Sequence, residues 1–219
     1  MSDQSFTPAL GRLGSVGFYD RAIRLLTREK VWRAALLRQV APEAGEIILD
    51  VGCGTGTFAI MLKRLCPGAR IVALDPDPGV LKIASRKGTE AGVVIDWRQG
   101  FASDAEALGG TVDKVVSSLV FHQVPVTGKG EGIAAMFAAV RPGGEVHIAD
   151  YASQRGIMRA LFRLTVQQID GLVDTQPNAD GAIEAILSDR SGTPIEATRV
   201  IPTPTGAISL FKAEQTASV

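Results

Sequence analysis

The run Leu49-Asp50-Val51-Gly52-Cys53-Gly54-Thr55-Gly56 limits what this chain can fold into more than any other stretch. A short apolar strand, Glu46-Ile47-Ile48-Leu49, enters a turn with glycine at alternate positions, and the following Thr57 to Leu65 reads as a helix. Glycine removes the Cβ atoms that would block close approach and permits backbone angles other residues rarely adopt. In open α/β sheets, ligands bind where a strand's carboxyl end meets such a turn. The plain alternative is a tight strand-to-helix connection with no ligand. Spacing sets aside two phosphate-gripping motifs. The dinucleotide fingerprint Gly-x-Gly-x-x-Gly needs glycine where Thr57 stands, and a P-loop needs a Gly-Lys-Ser/Thr ending that is absent.

The rest of the chain repeats the strand-helix alternation. Arg70 to Leu74 is a second apolar strand ending at Asp75, and Asp75-Pro76-Asp77-Pro78 precedes a helix over Gly79 to Lys87. Val93 to Gln99 reads as a third strand and Asp113 to Phe121 as a fourth. A helix over Gly130 to Val140 enters the turn Arg141-Pro142-Gly143-Gly144, and Glu145 to Tyr151 forms a fifth strand in which His147 reads as a packed side chain. Such alternation implies a mainly parallel sheet covered by helices on both faces. Gln154 to Leu172 has apolar residues at near-helical spacing, with Arg155, Arg159 and Arg163 on another face. A helix over Gly181 to Asp189 leads to strands at Glu196 to Ile201 and Ala207 to Ala213, with Pro202 to Gly206 as their connection.

These residues resemble the class I S-adenosylmethionine-dependent methyltransferases, whose first motif has the form hydrophobic-Asp-x-Gly-x-Gly-x-Gly. The N-terminal Tyr19-Asp20 pair points to the quinone and small-molecule (type 11) subgroup. The resemblance implies a doubly wound α/β fold of Rossmann-like type, a mainly parallel seven-stranded sheet with an antiparallel last strand. It implies S-adenosylmethionine as cofactor and S-adenosylhomocysteine as product. On the matching positions, Asp50, Gly52, Cys53, Gly54 and Gly56 cradle the cofactor, Asp75 with Pro76 takes the ribose hydroxyls, and Ser118 and Leu119 lie beneath it. The adenine region falls on Gly100, Phe101 and Ala102, where Phe101-Ala102 departs from the acidic pair of the family. An aromatic there can cover the adenine face, and Asp104 can read the amino group only if the loop rearranges. His122 has a pKa range suited to receiving a proton near neutrality and is the leading catalytic candidate, with Tyr19 behind it. Asp150 and Tyr151, emerging at the same sheet edge, are candidate substrate contacts. Capping offers the structural alternative for Asp75 and His122, and packing for Tyr19 and the 154–172 helix.

The chain of 219 residues reads as one domain: a helical cap over residues 1–45 in which Phe18 to Val40 is amphipathic and basic, a cofactor core over 46–151, and substrate-side helices with a closing strand pair over 152–219. Basic and acidic residues balance at 23 each, which argues against a nucleic-acid partner, as does the missing Asn/Asp-Pro-Pro-Tyr/Phe motif after the fourth strand. The expected partner is a small-molecule acceptor, and nothing signals an oligomeric state. No apolar run is long enough to span a bilayer and no secretory signal is seen. Peripheral contact of the basic N-terminal stretch with an anionic membrane, serving a lipid or quinone acceptor, is a less favoured reading. Two cysteines, Cys53 and Cys66, are too few for a disulfide scaffold, which places the chain in reducing cytoplasm. There is no Cys/His cluster with zinc-like spacing, so no metal is expected. A cofactor-binding module without catalysis and a nicotinamide oxidoreductase are the competing classes.

Overall fold

The computed structural model describes residues 27–216, so Tyr19 and Asp20 lie outside the described residues. Alternation of short apolar strands with helices produces one sheet in the order β3-β2-β1-β4-β5-β7-β6. Its strands are β1 (Ile47–Val51), β2 (Arg70–Asp75), β3 (Asp96–Gln99), β4 (Val112–Ser118), β5 (Val140–Tyr151), β6 (Arg199–Thr203) and β7 (Gly206–Glu214). β1 to β5 pair in parallel, and β7 runs antiparallel between β5 and β6. The seven-stranded, doubly wound arrangement that the resemblance implies is the one observed.

Helix α1 (Glu29–Val40) packs on β5 and β7, α2 (Thr57–Leu65) and α3 (Pro78–Glu90) pack on the β2-β3 side, and α4 (Val126–Ala139) packs on β4 and β5. In α1 the buried residues are Trp32, Ala35, Leu36 and Val40, spaced to form one stripe against the sheet. They join Phe58, Leu62, Ile71 and Leu210 in one core layer. The opposite layer is built from Phe121, Ile133, Met136, Phe137, Ile183 and Phe211. His147 is packed as expected. It is buried in β5, accepts from Gln39 Nε2 at Nδ1 (3.2 Å) and donates from Nε2 to Glu145 (2.9 Å), and burial holds it below the ordinary imidazole range.

Several local expectations are corrected. Asp77, not Asp75, caps α3, accepting from the backbone N–H groups of Gly79 (2.7 Å) and Val80 (3.4 Å) with Pro78 at the first helical position. Val93 to Ile95 stays out of β3 because the Val93 N–H is taken by the Gly88 carbonyl at the end of α3 (3.0 Å). β4 ends at Ser118. Arg141 to Gly144 is a bulge inside a continuous β5, spanned on the other side by Gly143 N–H to Gln215 O (2.8 Å) and Gln215 N–H to Gly144 O (2.9 Å). Pro202 and Thr203 belong to β6. Proline is tolerated there because β6 is an edge strand with one free side.

The largest correction concerns residues 154–172. In place of one amphipathic helix there are α5 (Gly156–Leu164), α6 (Val166–Asp170) and α7 (Leu172–Ala179), followed by α8 (Ala182–Ser191). Thr165 leaves helical angles (φ −120°, ψ −81°), and its hydroxyl lies within hydrogen-bond reach of the Leu161 (2.7 Å) and Thr205 (3.2 Å) carbonyls. Gly171 (φ 85°, ψ 155°) makes the second break, a conformation that favours glycine. The two breaks fold the segment back over the carboxyl edge of the sheet, and in α5 only Phe162 is buried.

Candidate active site

β1 and β4 are neighbours while their following strands lead in opposite directions, so a crevice opens between their carboxyl ends. The glycine turn sits in that crevice. Its course is held by N–H groups of Gly52 and Cys53 donating to the Leu74 carbonyl (2.8 and 3.0 Å) and of Gly56 donating to Cys53 (2.9 Å). All three glycines have positive φ: Gly52 +70°, Gly54 +52° and Gly56 +74°. Two of them leave room for protein. A Cβ on Gly52 would lie 2.2 Å from Val120 Cγ2, and one on Gly56 would lie 2.5 Å from the Trp97 ring. Gly54 faces open space, with nothing within 4 Å of where its Cβ would stand. Lys87 ties down the outer half of the turn by donating to the Thr55 carbonyl (2.8 Å) and Thr57 Oγ1 (2.7 Å).

Asp50 and Asp75 flank this turn. Asp50 is buried, and among the described residues neither carboxylate oxygen makes a hydrogen bond within ordinary geometry. Burial pushes its carboxyl up to about 7, with Arg33 opposing, Asp75 adding to the rise and the Ala59 N–H opposing. Asp75 accepts from Gly54 N–H at one oxygen (2.8 Å) and Asp77 N–H at the other (3.0 Å), while burial raises its carboxyl against those bonds. Each oxygen keeps one lone pair for a further donor. The Cys53 thiol is pushed up by burial and then by the two carboxylates, which disfavours its thiolate. The Pro76 carbonyl accepts from Gln99 (3.2 Å), and the Gly100 N–H donates to the Asp75 carbonyl (3.1 Å). Phe101 is exposed beside them, its N–H bonded to Asp104 Oδ2 (2.7 Å), so Asp104 caps the turn that begins at Ala102. The rearrangement that would free Asp104 is not present.

Across the crevice, Ser118 ends β4 and Leu119 follows in the left-handed region (φ +54°), its N–H donating to Ala149 O (2.9 Å). A non-glycine residue held there costs free energy and needs external support. Asp150 supplies it. One oxygen accepts from Val120 and Phe121 N–H (3.0 and 2.7 Å), and the other from Tyr151 N–H (2.8 Å) and His122 Nδ1 (2.7 Å). Asp150 is 0% exposed, so the structure makes it a scaffold and does not offer it to a substrate. Tyr151 is likewise engaged: its hydroxyl meets Thr205 Oγ1 at 2.6 Å and its ring meets His122 edge-on at 5.3 Å, while burial raises the phenol to about 12.

His122 lies in this crevice as the sequence suggested, but not as a free imidazole. Its Nε2 faces Asp170 Oδ2 of α6 at 3.5 Å. Burial disfavours its charge, yet Asp150 and then Asp170 outweigh that and lift it to about 9. Lys129 of α4 is also buried beneath the roof and donates to the carbonyls of Val124 and Asp174 (the latter 2.8 Å); burial lowers it to about 8 against Asp150 and Asp174. Asp170, Lys129, Lys87 and Trp97 were not singled out by sequence reasoning. No local pattern marks them, because each gains its place from a contact distant in the chain.

Residues 48–144 match a family described as the methyltransferase domain. Among curated relatives, a ubiquinone biosynthesis O-methyltransferase of Methylobacterium sp. (strain 4-46) is 34% identical over 141 residues, 58% of this chain and 55% of that protein. A demethylmenaquinone methyltransferase of Clavibacter sepedonicus is 32% identical over 139 residues, 62% of this chain and 54% of the relative. The chain thus spans about half the length of these relatives. Among solved structures, a geranyl diphosphate methyltransferase in complex with SAM aligns over 95% of this chain and 94% of its own with a TM-score of 0.67 at 16% identity. The magnesium protoporphyrin IX methyltransferase of Synechocystis PCC 6803 aligns over 93% and 90% with a TM-score of 0.66 at 19% identity. These likenesses bear on fold. Residues 48–144 are thus similar to a methyltransferase domain, and the chain resembles the quinone methyltransferases over about half of their length.

Proposed function

We propose that this chain transfers a methyl group from S-adenosylmethionine to a small-molecule acceptor. The observation that carries the reading is the Asp50 carboxylate, buried behind a glycine turn whose Gly54 faces open space, with neither oxygen in a hydrogen bond of ordinary geometry among the described residues. A buried carboxylate pushed up by desolvation costs free energy that a cationic ligand group would recover. Asp75 retains acceptor capacity for a pair of hydroxyls, and Phe101 supplies an exposed ring for a planar base. The donor set therefore fits a ligand with an ammonium, a ribose and an adenine.

When bound, the cofactor supplies a methyl group made electrophilic by its sulfonium. The protein's task is alignment and exclusion of water, which in favourable cases accounts for about 7 to 11 kcal/mol. Leu119, fixed by Asp150 through its neighbours, forms the floor under the reacting centre, and α5 to α7 roof it. Gly52 links the two halves because Val120 packs where its side chain would be. In this reading residues 46–151 hold the cofactor and the helices after β5 face the acceptor, in a reducing cytoplasm that suits Cys53 and Cys66.

Replacing Asp75 by Ala should weaken S-adenosylmethionine binding by about 1 to 3 kcal/mol in titration calorimetry. Unchanged affinity would remove Asp75 from the ribose site. Binding of a nicotinamide dinucleotide and not of S-adenosylmethionine would overturn the reading, and cofactor binding without transfer to any acceptor would favour a binding module.

A second reading, an acceptor held in a lipid surface, rests on different residues from those first considered. The apolar stripe of α1 is spent on the core and not available to a membrane. Ile157, Leu164, Ile169, Leu172 and Val173 of the roof are instead 58% to 84% exposed, beside exposed Arg155 and Arg163. Among the described residues, no helix is long and apolar enough to cross a membrane. Cosedimentation with phosphatidylglycerol vesicles should be lost on replacing Leu164 and Val173 by Asp. Failure of the unmodified chain to pellet removes this reading.

A further inference from the structure

We propose that Asp170 is the proton-accepting carboxylate on the acceptor side of this site, with His122 a charged spacer that orients it from Asp150 and not itself the base. The proposal rests on the methyl-transfer reading and deepens it, because it assigns the acceptor to the class that must shed a proton, a hydroxyl or an amine.

The geometry separates the roles of the three groups. Both ring nitrogens of His122 face carboxylates, Nδ1 at 2.7 Å from Asp150 Oδ1 and Nε2 at 3.5 Å from Asp170 Oδ2. Neither nitrogen is left with a lone pair directed at a substrate while the ring is doubly protonated. The charge on His122, held up to about 9, keeps it so at neutral pH. Asp150 is excluded by saturation, since its two oxygens already take three backbone N–H groups and the imidazole. Asp170 differs from both. Its side chain is 23% exposed, and among the described residues His122 is the side chain that touches its carboxylate, so acceptor capacity remains on the oxygen turned from the ring.

The groups around His122 form a closed set. Asp150 and Tyr151 approach from β5 and Asp170 from α6, while Lys129 of α4 interacts with Asp150 from below the same roof. With Asp150 and Asp170 set against the imidazolium and Lys129 the charges are near balance, and Asp170 is the carboxylate with an oxygen still open to a proton. In the reaction, a lone pair on the acceptor atom forms the new bond to the methyl carbon as the carbon-sulfur bond breaks toward sulfur. The proton of the acceptor passes to Asp170, and from there to water through its exposed side. The positive charge lost from sulfur and the negative charge lost from Asp170 balance.

Three measurements on the full chain test this: calorimetry with S-adenosylmethionine, transfer of labelled methyl from it into an extract of small metabolites, and an NMR titration of the imidazole signals of His122 and His147. Asp170→Asn should leave cofactor affinity unchanged and cut transfer by roughly 100-fold or more. The His122 midpoint should fall by about half a pH unit or more. Asp170→Glu should keep most of the transfer. Full transfer by Asp170→Asn, or a His122 midpoint that does not move, overturns the proposal and leaves the methyltransferase reading intact. Absence of cofactor binding or of transfer by the unmodified chain removes that reading and the proposal with it.

Discussion

Replacing Asp150 by Ala is expected to destabilise the folded chain by about 3 to 5 kcal/mol at neutral pH, because it strands a buried imidazolium. The same change removes the acceptor for the N–H groups of Val120, Phe121 and Tyr151 and releases the support of Leu119 at φ +54°. Part of the loss depends on pH, and its direction follows from His122. Burial alone would lower that imidazole, but Asp150 and Asp170 raise it from 6.5 to about 9. The native state therefore holds the proton more tightly than the unfolded chain. The associated stabilisation, on the order of 3 kcal/mol from 1.36 kcal/mol per pKa unit, is fully present below about pH 6.5 and disappears as pH rises through about 9. Urea unfolding at pH 6 and pH 9.5 should show a larger gap between the unmodified chain and Asp150→Ala at the lower pH. An equal gap would mean that the imidazolium contributes nothing and that the carboxylate matters only to the backbone.

The second large effect belongs to the glycine turn. Gly52→Ala places a Cβ 2.2 Å from Val120 Cγ2 in a residue at φ +70°. A left-handed alanine costs about 1 to 2 kcal/mol and overpacking about 1 to 3 more. Val120 cannot yield easily, because its N–H is bonded to Asp150 and Leu119 before it is already strained. The expected result is a loss of about 2 to 5 kcal/mol in stability together with loss of detectable cofactor binding. Gly54→Ala is the informative contrast. Its φ is +52°, but no atom stands within 4 Å of the added Cβ, so only the backbone term applies. Loss of binding with a small change in melting temperature would mark Gly54 as a position where ligand meets backbone. Retained binding in both variants would place the ligand elsewhere.

The elements that could be read from residues alone are those whose signal is local. The apolar run into Gly52-Cys53-Gly54, the helix Thr57 to Leu65 with bounds as observed, Asp75 at the end of β2 and the closing strand pair each depend on periodicity or turn chemistry within about ten residues. His147 was legible for the same reason, as an alternating position in a strand. These local patterns were sufficient for the doubly wound sheet, since alternating strands and helices have few ways to cover both faces of a sheet.

The roles within the site were not legible, because they arise from contacts between distant segments. His122 and Asp150 are 28 positions apart in the chain, and only the pairing of β4 with β5 brings them to 2.7 Å, which turned a candidate substrate residue into a scaffold and a candidate base into an imidazolium. Residues 154–172 carry a helical pattern throughout, yet a side-chain bond from Thr165 toward the Thr205 loop and the angles of Gly171 break it twice and set Asp170 beside His122. By itself, then, the sequence determined the sheet, its glycine turn and the carboxylates at its edge, because hydrophobic period and glycine chemistry act over short range. Tertiary structure alone decided which of those charged groups are buried, paired or open, because desolvation and ion pairing depend on what the fold places around them.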